Sequence, residues 1–221
     1  MENYRIFDSE LEKLEHKVIQ MCSQVHQQLV DVILALKTSD LQIAKKVITN
    51  DEFINSLDVK IDKLCQKIFA LQQPVASDLR YIISALKINN DLERIGDHAV
   101  NIAKRIEPLQ DYKNLIEDLA INTIGDKTIA LFADVVDLVK THDLTYAVKI
   151  MNKAETIKEE CEDIASKILS EMMHQSEVVV VAANILIIIN LFERISSYST
   201  NVAESITFVV EGEIVKHKKH I

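Results

Sequence analysis

The sequence predicts an all-α protein built as two tandem three-helix bundles, six long antiparallel helices in all, and three observations carry that prediction. Glycine and proline number only three and two in 221 residues, which favours long helices and leaves sheets few turns. Apolar residues recur at three- and four-residue spacing over long stretches. The chain also repeats itself: Glu93-Arg-Ile with Asn101 and Ala103 returns as Glu193-Arg-Ile with Asn201 and Ala203, at an offset of 100. A period of that length marks a duplicated subdomain rather than a solenoid unit.

The elements follow in order. Ser9-Glu10-Leu11-Glu12 fits a capping box, and Leu11, Leu14, Val18, Met21, Val25 and Leu29 carry a first helix to about Leu36. Thr38-Ser39-Asp40 caps a second helix running to about Gln72, which Pro74 closes while opening a third. That third helix holds Asp91-Leu-Glu-Arg-Ile-Gly-Asp-His-Ala-Val-Asn101 and stops near Glu107-Pro108. From about Asn114 the plan recurs, with Ala35-Leu-Lys-Thr-Ser-Asp40 returning as Leu138-Val-Lys-Thr-His-Asp143 at an offset of 103. Lys67-Ile68 against Lys167-Ile168, at an offset of 100, implies a three-residue deletion within the second copy. Short connections make neighbouring helices antiparallel. The expected units are residues 1–108 and 109–221, side by side or end to end. Gly125 lies within the fourth helix as a candidate kink, and Val215-Lys-His-Lys-Lys-His-Ile221 reads as a frayed basic end.

Several function classes fall away on composition. A formal charge of −9 opposes non-specific nucleic-acid binding and docking on an anionic membrane by charge. Val178 to Phe192 is the most apolar run, but it is short for a membrane span and interrupted by Asn184 and Asn190, so a buried helix is expected and no transmembrane segment. The opening Met1-Glu-Asn-Tyr-Arg-Ile-Phe-Asp8 lacks the features of a signal peptide, and a cytoplasmic location is the expectation. Cys22, Cys65 and Cys161 are odd in number and show no CxxC spacing, as reduced core residues do. No glycine-rich phosphate loop or nucleophile elbow is written here, and no enzyme is expected. A di-iron oxidase needs two Glu-x-x-His pairs, and only Glu171-Met-Met-His174 fits. His16, His26, His98 and His142 share no spacing and read as surface or groove residues.

Two polar stripes remain. Asp51, Asn55, Asp58 and Asp62 follow one face of the second helix, and Glu93, Asp97 and Asn101 step by four along the third. Should those faces lie together, their oxygens suit hard or borderline cations. A bare acidic stripe is more often a solvated face, although Asn90, Asn101 and Arg94 are unusual on one. In the second copy Ser197 and Tyr198 replace Asp97 and His98, while Ala154 and Cys161 stand for Asp51 and Asp58. The corresponding helix carries Glu155, Glu159 and Glu162 instead, so no second metal site is expected. No cluster of Arg and Lys fit for an anion is visible along the chain.

Pro74-Val-Ala-Ser-Asp-Leu-Arg80 and Ala85-Leu-Lys-Ile-Asn-Asn-Asp-Leu-Glu-Arg-Ile-Gly-Asp-His-Ala99 resemble the PhoU family of phosphate-uptake regulators. Glu93-Arg-Ile-Gly-Asp97 stands where that family has its Glu/Asp-x-x-x-Asp signature, and Asp51-Glu-Phe-Ile-Asn-Ser-Leu-Asp58 looks like its acidic second helix. The resemblance covers the whole chain and implies a cytoplasmic adaptor. Such an adaptor engages the ATPase subunit of the phosphate ABC importer and the phosphate-responsive sensor histidine kinase, restraining uptake and the starvation response when phosphate is plentiful. It also implies a homodimer with iron, zinc, manganese or magnesium ions on the stripes, through Glu93 and Asp97 and, less fully matched, Asp51 and Asp58. Arg94, Asn101 and Asp62 are then expected in partner docking, with the second bundle structural or dimer-forming. The alternative is a metal-binding accessory of a different, low-affinity phosphate carrier, or a helical bundle that handles the metal itself.

Overall fold

The computed structural model describes residues 2–71, 74–174 and 179–212. The first three long helices are α1 (Glu2–Thr38), α2 (Leu41–Leu71) and α3 (Ala76–Ala103). A 3-10 turn over Glu107–Tyr112 and the short helix α4 (Lys113–Asp118) lead to α5 (Ile121–Thr141), α6 (Thr145–His174) and α7 (Val179–Glu211). Six long helices in two sets of three are as expected. The third helix, however, ends at Ala103 rather than near Glu107-Pro108, and the second copy resumes at Ile121 rather than about Asn114.

The α1–α2 and α5–α6 hairpins share one construction. The hydroxyls of Thr38 and Thr141 donate to carbonyls four residues back, Leu34 at 2.8 Å and Asp137 at 2.7 Å. The next residue, Ser39 or His142, turns left-handed with φ of 55° and 54°, which stops the helix. Asp40 then accepts from the N–H groups of Gln42 and Ile43 at 2.8 and 3.2 Å, and Asp143 accepts from Thr145 at 3.0 Å. A short carboxylate at this point satisfies donors that the new helix leaves without partners.

Two sequence expectations fail for identifiable reasons. The capping box at Ser9 is no cap, because α1 is already helical from Glu2; Glu10 instead binds Lys13 at 2.9 Å and Lys67 of α2 at 3.0 Å. The deletion does not fall near Lys67. Buried Ala44, Val47, Ile54, Ile61 and Cys65 of α2 align with buried Ala147, Ile150, Ile157, Ile164 and Ile168 of α6, all at the offset of 103. The offset becomes 100 only beyond them, and residues 85–99 and 185–199 then share the same degree of burial position by position. A core register is harder to shift than a loop, because moving it would expose every apolar side chain on that face.

The two sets join through α1 against α5 and α3 against α7, so their buried side chains form one core. Gly125 lies inside α5, which is assigned as one helix from Ile121 to Thr141. A Cβ there would lie 3.0 Å from Ile33 Cγ2 of α1, so this glycine serves the joint between the sets. The apolar run is α7, with Val181, Ala182, Ile185, Ile188, Ile189 and Phe192 buried. It is long and apolar enough to cross a membrane by composition, yet half of that stretch is buried against α3, α5 and α6. Cys22, Cys65 and Cys161 are free and buried. The basic tail and the side chains of Glu171 and His174 lie outside the described residues.

Replacing Gly125 with Leu would drive a branched side chain into Ile33 at the joint. The expected loss is on the order of 1–3 kcal/mol, typical of overpacking, and a lower urea midpoint at unchanged slope is the measurement that checks it.

Candidate functional site: an acidic seam between the second and third helices

Asp51 and Asp58 on α2 face Glu93 and Asp97 on α3, and the seam between these helices is underpinned from within by two buried amides. Gln28 of α1, only 4% exposed, donates to Asp51 Oδ1 at 3.2 Å and to the Val47 carbonyl at 3.3 Å. Asn89 of α3, 1% exposed, donates to Asp58 Oδ1 at 2.6 Å and to Asp62 Oδ1 at 3.2 Å. Asn55 donates to Asp51 Oδ2 at 3.2 Å. Gly96 makes room for this arrangement, since a Cβ there would stand 3.1 Å from Gln28 Oε1. A helix start or a turn does not need these polar groups; they sit where core side chains are usual.

The electrostatics follow from that placement. Burial raises the Glu93 carboxyl above its ordinary value, and the charges of Asp97, Asp58 and Asp51 raise it further against a small opposing effect of Arg94. Burial and then Asp62 raise Asp58, while the hydrogen bond from Asn89 works the other way. Among the described residues, no three His, Cys, Asp or Glu side chains gather as a ligand set. Two acceptor oxygens, Gln28 Oε1 and Asn89 Oδ1, are buried with no hydrogen-bond partner.

The structure therefore brings Asp51, Asp58, Asp62, Glu93 and Asp97 to one seam, and it separates the other two candidate residues from them. Arg94 turns toward α7 and donates to the Tyr198 hydroxyl at 3.1 Å. Asn101 is half-buried, and its carbonyl accepts from Arg105 at 2.7 Å. Gln28 and Asn89 are not among the residues that spacing along the sequence singles out. Their signal was available: each is a polar residue at a core position, and each is apolar in the other copy, as Leu131 and Ile189. The corresponding seam between α6 and α7 has Ala154, Cys161, Ala165 and Ser197 where the first has Asp51, Asp58, Asp62 and Asp97. There Cys161 Sγ lies 3.7 Å from the Ile189 carbonyl.

Comparison with known proteins meets this geometry directly. The sequence pattern of the PhoU domain matches the chain twice, over residues 18–106 and 121–206. The chain belongs to the PhoU family. It is 32% identical to the phosphate-specific transport system accessory protein PhoU of Serratia marcescens, over 96% of this chain and 87% of that one. Against the protein of the same description from Escherichia coli K12 the identity is 33%, over 96% and 88%. Among solved structures, PhoU from Pseudomonas aeruginosa superposes with a TM-score of 0.86 at 29% identity, covering 94% of this chain and all of that one. The phosphate transport system regulatory protein PhoU of Streptococcus pneumoniae gives 0.84 at 31% identity, covering 95% of this chain and 99% of that one. In this PhoU-family chain Glu93 and Asp97 stand on the seam that Gln28 and Asn89 support.

A raised carboxyl makes a stability prediction with a definite sign. Folding favours the proton on Glu93, so its contribution is present at low pH and is lost as the pH rises through the raised folded value. In chelator-treated buffer, Glu93→Gln is therefore expected to raise the melting temperature near neutral pH, and the gain shrinks as the pH falls below the ordinary glutamate value, where Glu93 is protonated in the folded and the unfolded chain alike. A gain that persisted unchanged at low pH would place the effect in packing instead.

Proposed function

We propose that this protein is a cytoplasmic, non-enzymatic adaptor of phosphate transport. In this reading it docks through its acidic seam on the ATPase subunit of a phosphate ABC importer and on a phosphate-responsive sensor histidine kinase. It restrains uptake and the starvation response when phosphate is plentiful, and it acts as a homodimer whose second bundle is structural. The observation that carries the reading is the contrast between the two seams. Buried amides and repelling carboxylates stand between α2 and α3, while the matching positions of the second copy hold Leu131, Ala154, Cys161, Ala165 and Ile189. The second seam demonstrates that the fold does without the polar set, so its retention in the first points to a use outside stability. That the relatives are described as phosphate-specific transport accessory proteins supports the identity of the partner system.

A second reading is that the seam carries a divalent cation, which would make the protein a metal-binding accessory. Oxygen donors of this kind suit magnesium or manganese, but among the described residues no three of these carboxylates gather as a ligand set. Bound there, the ion would supply charge compensation. Adding Mg²⁺ or Mn²⁺ to metal-free protein is then expected to raise the melting temperature of the wild type and not that of an Asp51→Asn/Glu93→Gln double variant.

Charge reversal tests the docking reading. Glu93→Lys with Asp97→Lys is expected to lower affinity for the ATPase subunit at least about tenfold, a loss of ~1.4 kcal/mol. Helix content, read by circular dichroism, should stay unchanged. In a strain lacking this chain, uptake and a starvation reporter should stay high in ample phosphate, and the double reversal should fail to restore repression. Full binding and full repression by the reversed protein would remove the seam from the account.

A further inference from the structure

The joint between the two sets of helices creates a second polar site that neither copy contains alone. α3 and α7 pack against each other over much of their length, and they run antiparallel. Arg80, near the start of α3, lies 3.6 Å from where a Cβ on Gly212 would stand, just past the end of α7. Midway, His98 meets Tyr198, its own counterpart 100 residues on, with ring centroids 5.6 Å apart. The helices therefore cross about a local two-fold, and a two-fold doubles whatever stands beside it.

What stands beside it is arginine. Arg94 is exposed, donates to the Tyr198 hydroxyl at 3.1 Å and lies 5.5 Å from that ring's centroid. Arg194, its counterpart, is also exposed and sits close enough to His98 for its charge to act on that ring. Carboxylates flank this crest: the charges of Asp91 and Glu93 act on Arg94 and that of Asp97 on His98, while Glu193 acts on Cys161 of α6. The surface thus runs from the acidic seam of the first bundle, across a crest bearing two guanidinium groups and a phenol, to the flank of the second.

We propose that this crest, formed by Arg94, Arg194 and Tyr198 over His98, is a binding site for a tetrahedral oxyanion of the phosphate type. Two guanidinium groups present planar forks of N–H donors, which match such an anion better than any single cation does. Tyr198 adds a hydroxyl already held in place by Arg94. His98 carries two buried ring nitrogens with no hydrogen-bond partner, and the charges of both arginines act on its ring. An anion above it offsets the repulsion from Arg94 and Arg194, so occupancy acts on the α3–α7 joint itself. The adjacent seams are acidic, which keeps the affinity modest, with a Kd on the order of millimolar. The inference deepens the phosphate-regulator reading by giving the adaptor a ligand, and it is tested on the isolated protein, so its failure leaves partner docking untouched.

The experiment titrates the full chain with sodium phosphate at constant ionic strength, chloride making up the balance, while the ring resonances of His98 are followed by NMR. Saturable shifts are expected, weakened at least about tenfold in Arg94→Gln and in Arg194→Gln. Lys87→Gln, which removes a positive charge elsewhere on the exposed face of α3, should bind as the wild type does. Thermal unfolding of each variant verifies the fold. A parallel titration with O-phosphoserine separates the two sources of this chemistry: tighter binding of free phosphate assigns the site to the ion, and tighter binding of phosphoserine assigns it to a phosphorylated partner. Shifts that never saturate, or that persist unchanged in the double Arg94→Gln/Arg194→Gln variant, overturn the proposal.

Discussion

The packing of α3 against α7 is the constraint on which the rest depends. A three-helix unit of this size buries little of each helix, and here each copy covers its remaining apolar surface with the other, through α1 on α5 and α3 on α7. That joint explains why burial repeats so faithfully along residues 85–99 and 185–199: both stretches meet their own third helix partner on one side and each other on the second. It also explains a glycine at position 125, where α5 must come close to Ile33.

With the shared core fixed by both copies, the surface outside it is free to diverge. The seam between α2 and α3 holds Gln28 and Asn89 at nearly full burial, each leaving an acceptor oxygen without a partner. Burial, and then the charges of neighbouring carboxylates, raise Glu93 and Asp58 beside them. The seam between α6 and α7 is relieved of both burdens. One copy holds the chemistry while the other, closer to an ordinary apolar helix contact, supports the joint.

Sign alternates across this face for the same reason. Positions 93 and 97 fall on the side of α3 that looks to α2, while 94 and 98 fall on the side that looks to α7, since one residue along a helix turns the side chain by about 100°. Arg94 therefore leaves the acidic stripe that it adjoins in sequence and finds Tyr198 instead. Adjacent letters of one motif thus belong to two different surfaces.

Much of this was legible in the sequence, because helix periodicity and caps are local. Scarce Gly and Pro, the repeat, and Asp40 and Asp143 as caps all act within a turn or two of themselves, and so the helix count and the hairpins could be read directly. The acidic stripes were legible too, as one-dimensional spacing. Tertiary structure alone decided that Ser9 is interior to a helix, that the register of α2 is kept along α6 as far as Cys65 and Ile168, and that Gln28 lies under Asp51 and Asn89 under Asp58. It alone set His98 and Arg94 beside Tyr198, a hundred residues away. Those facts depend on which faces pack together, and packing is chosen by the summed burial of the whole chain rather than by any local run of residues.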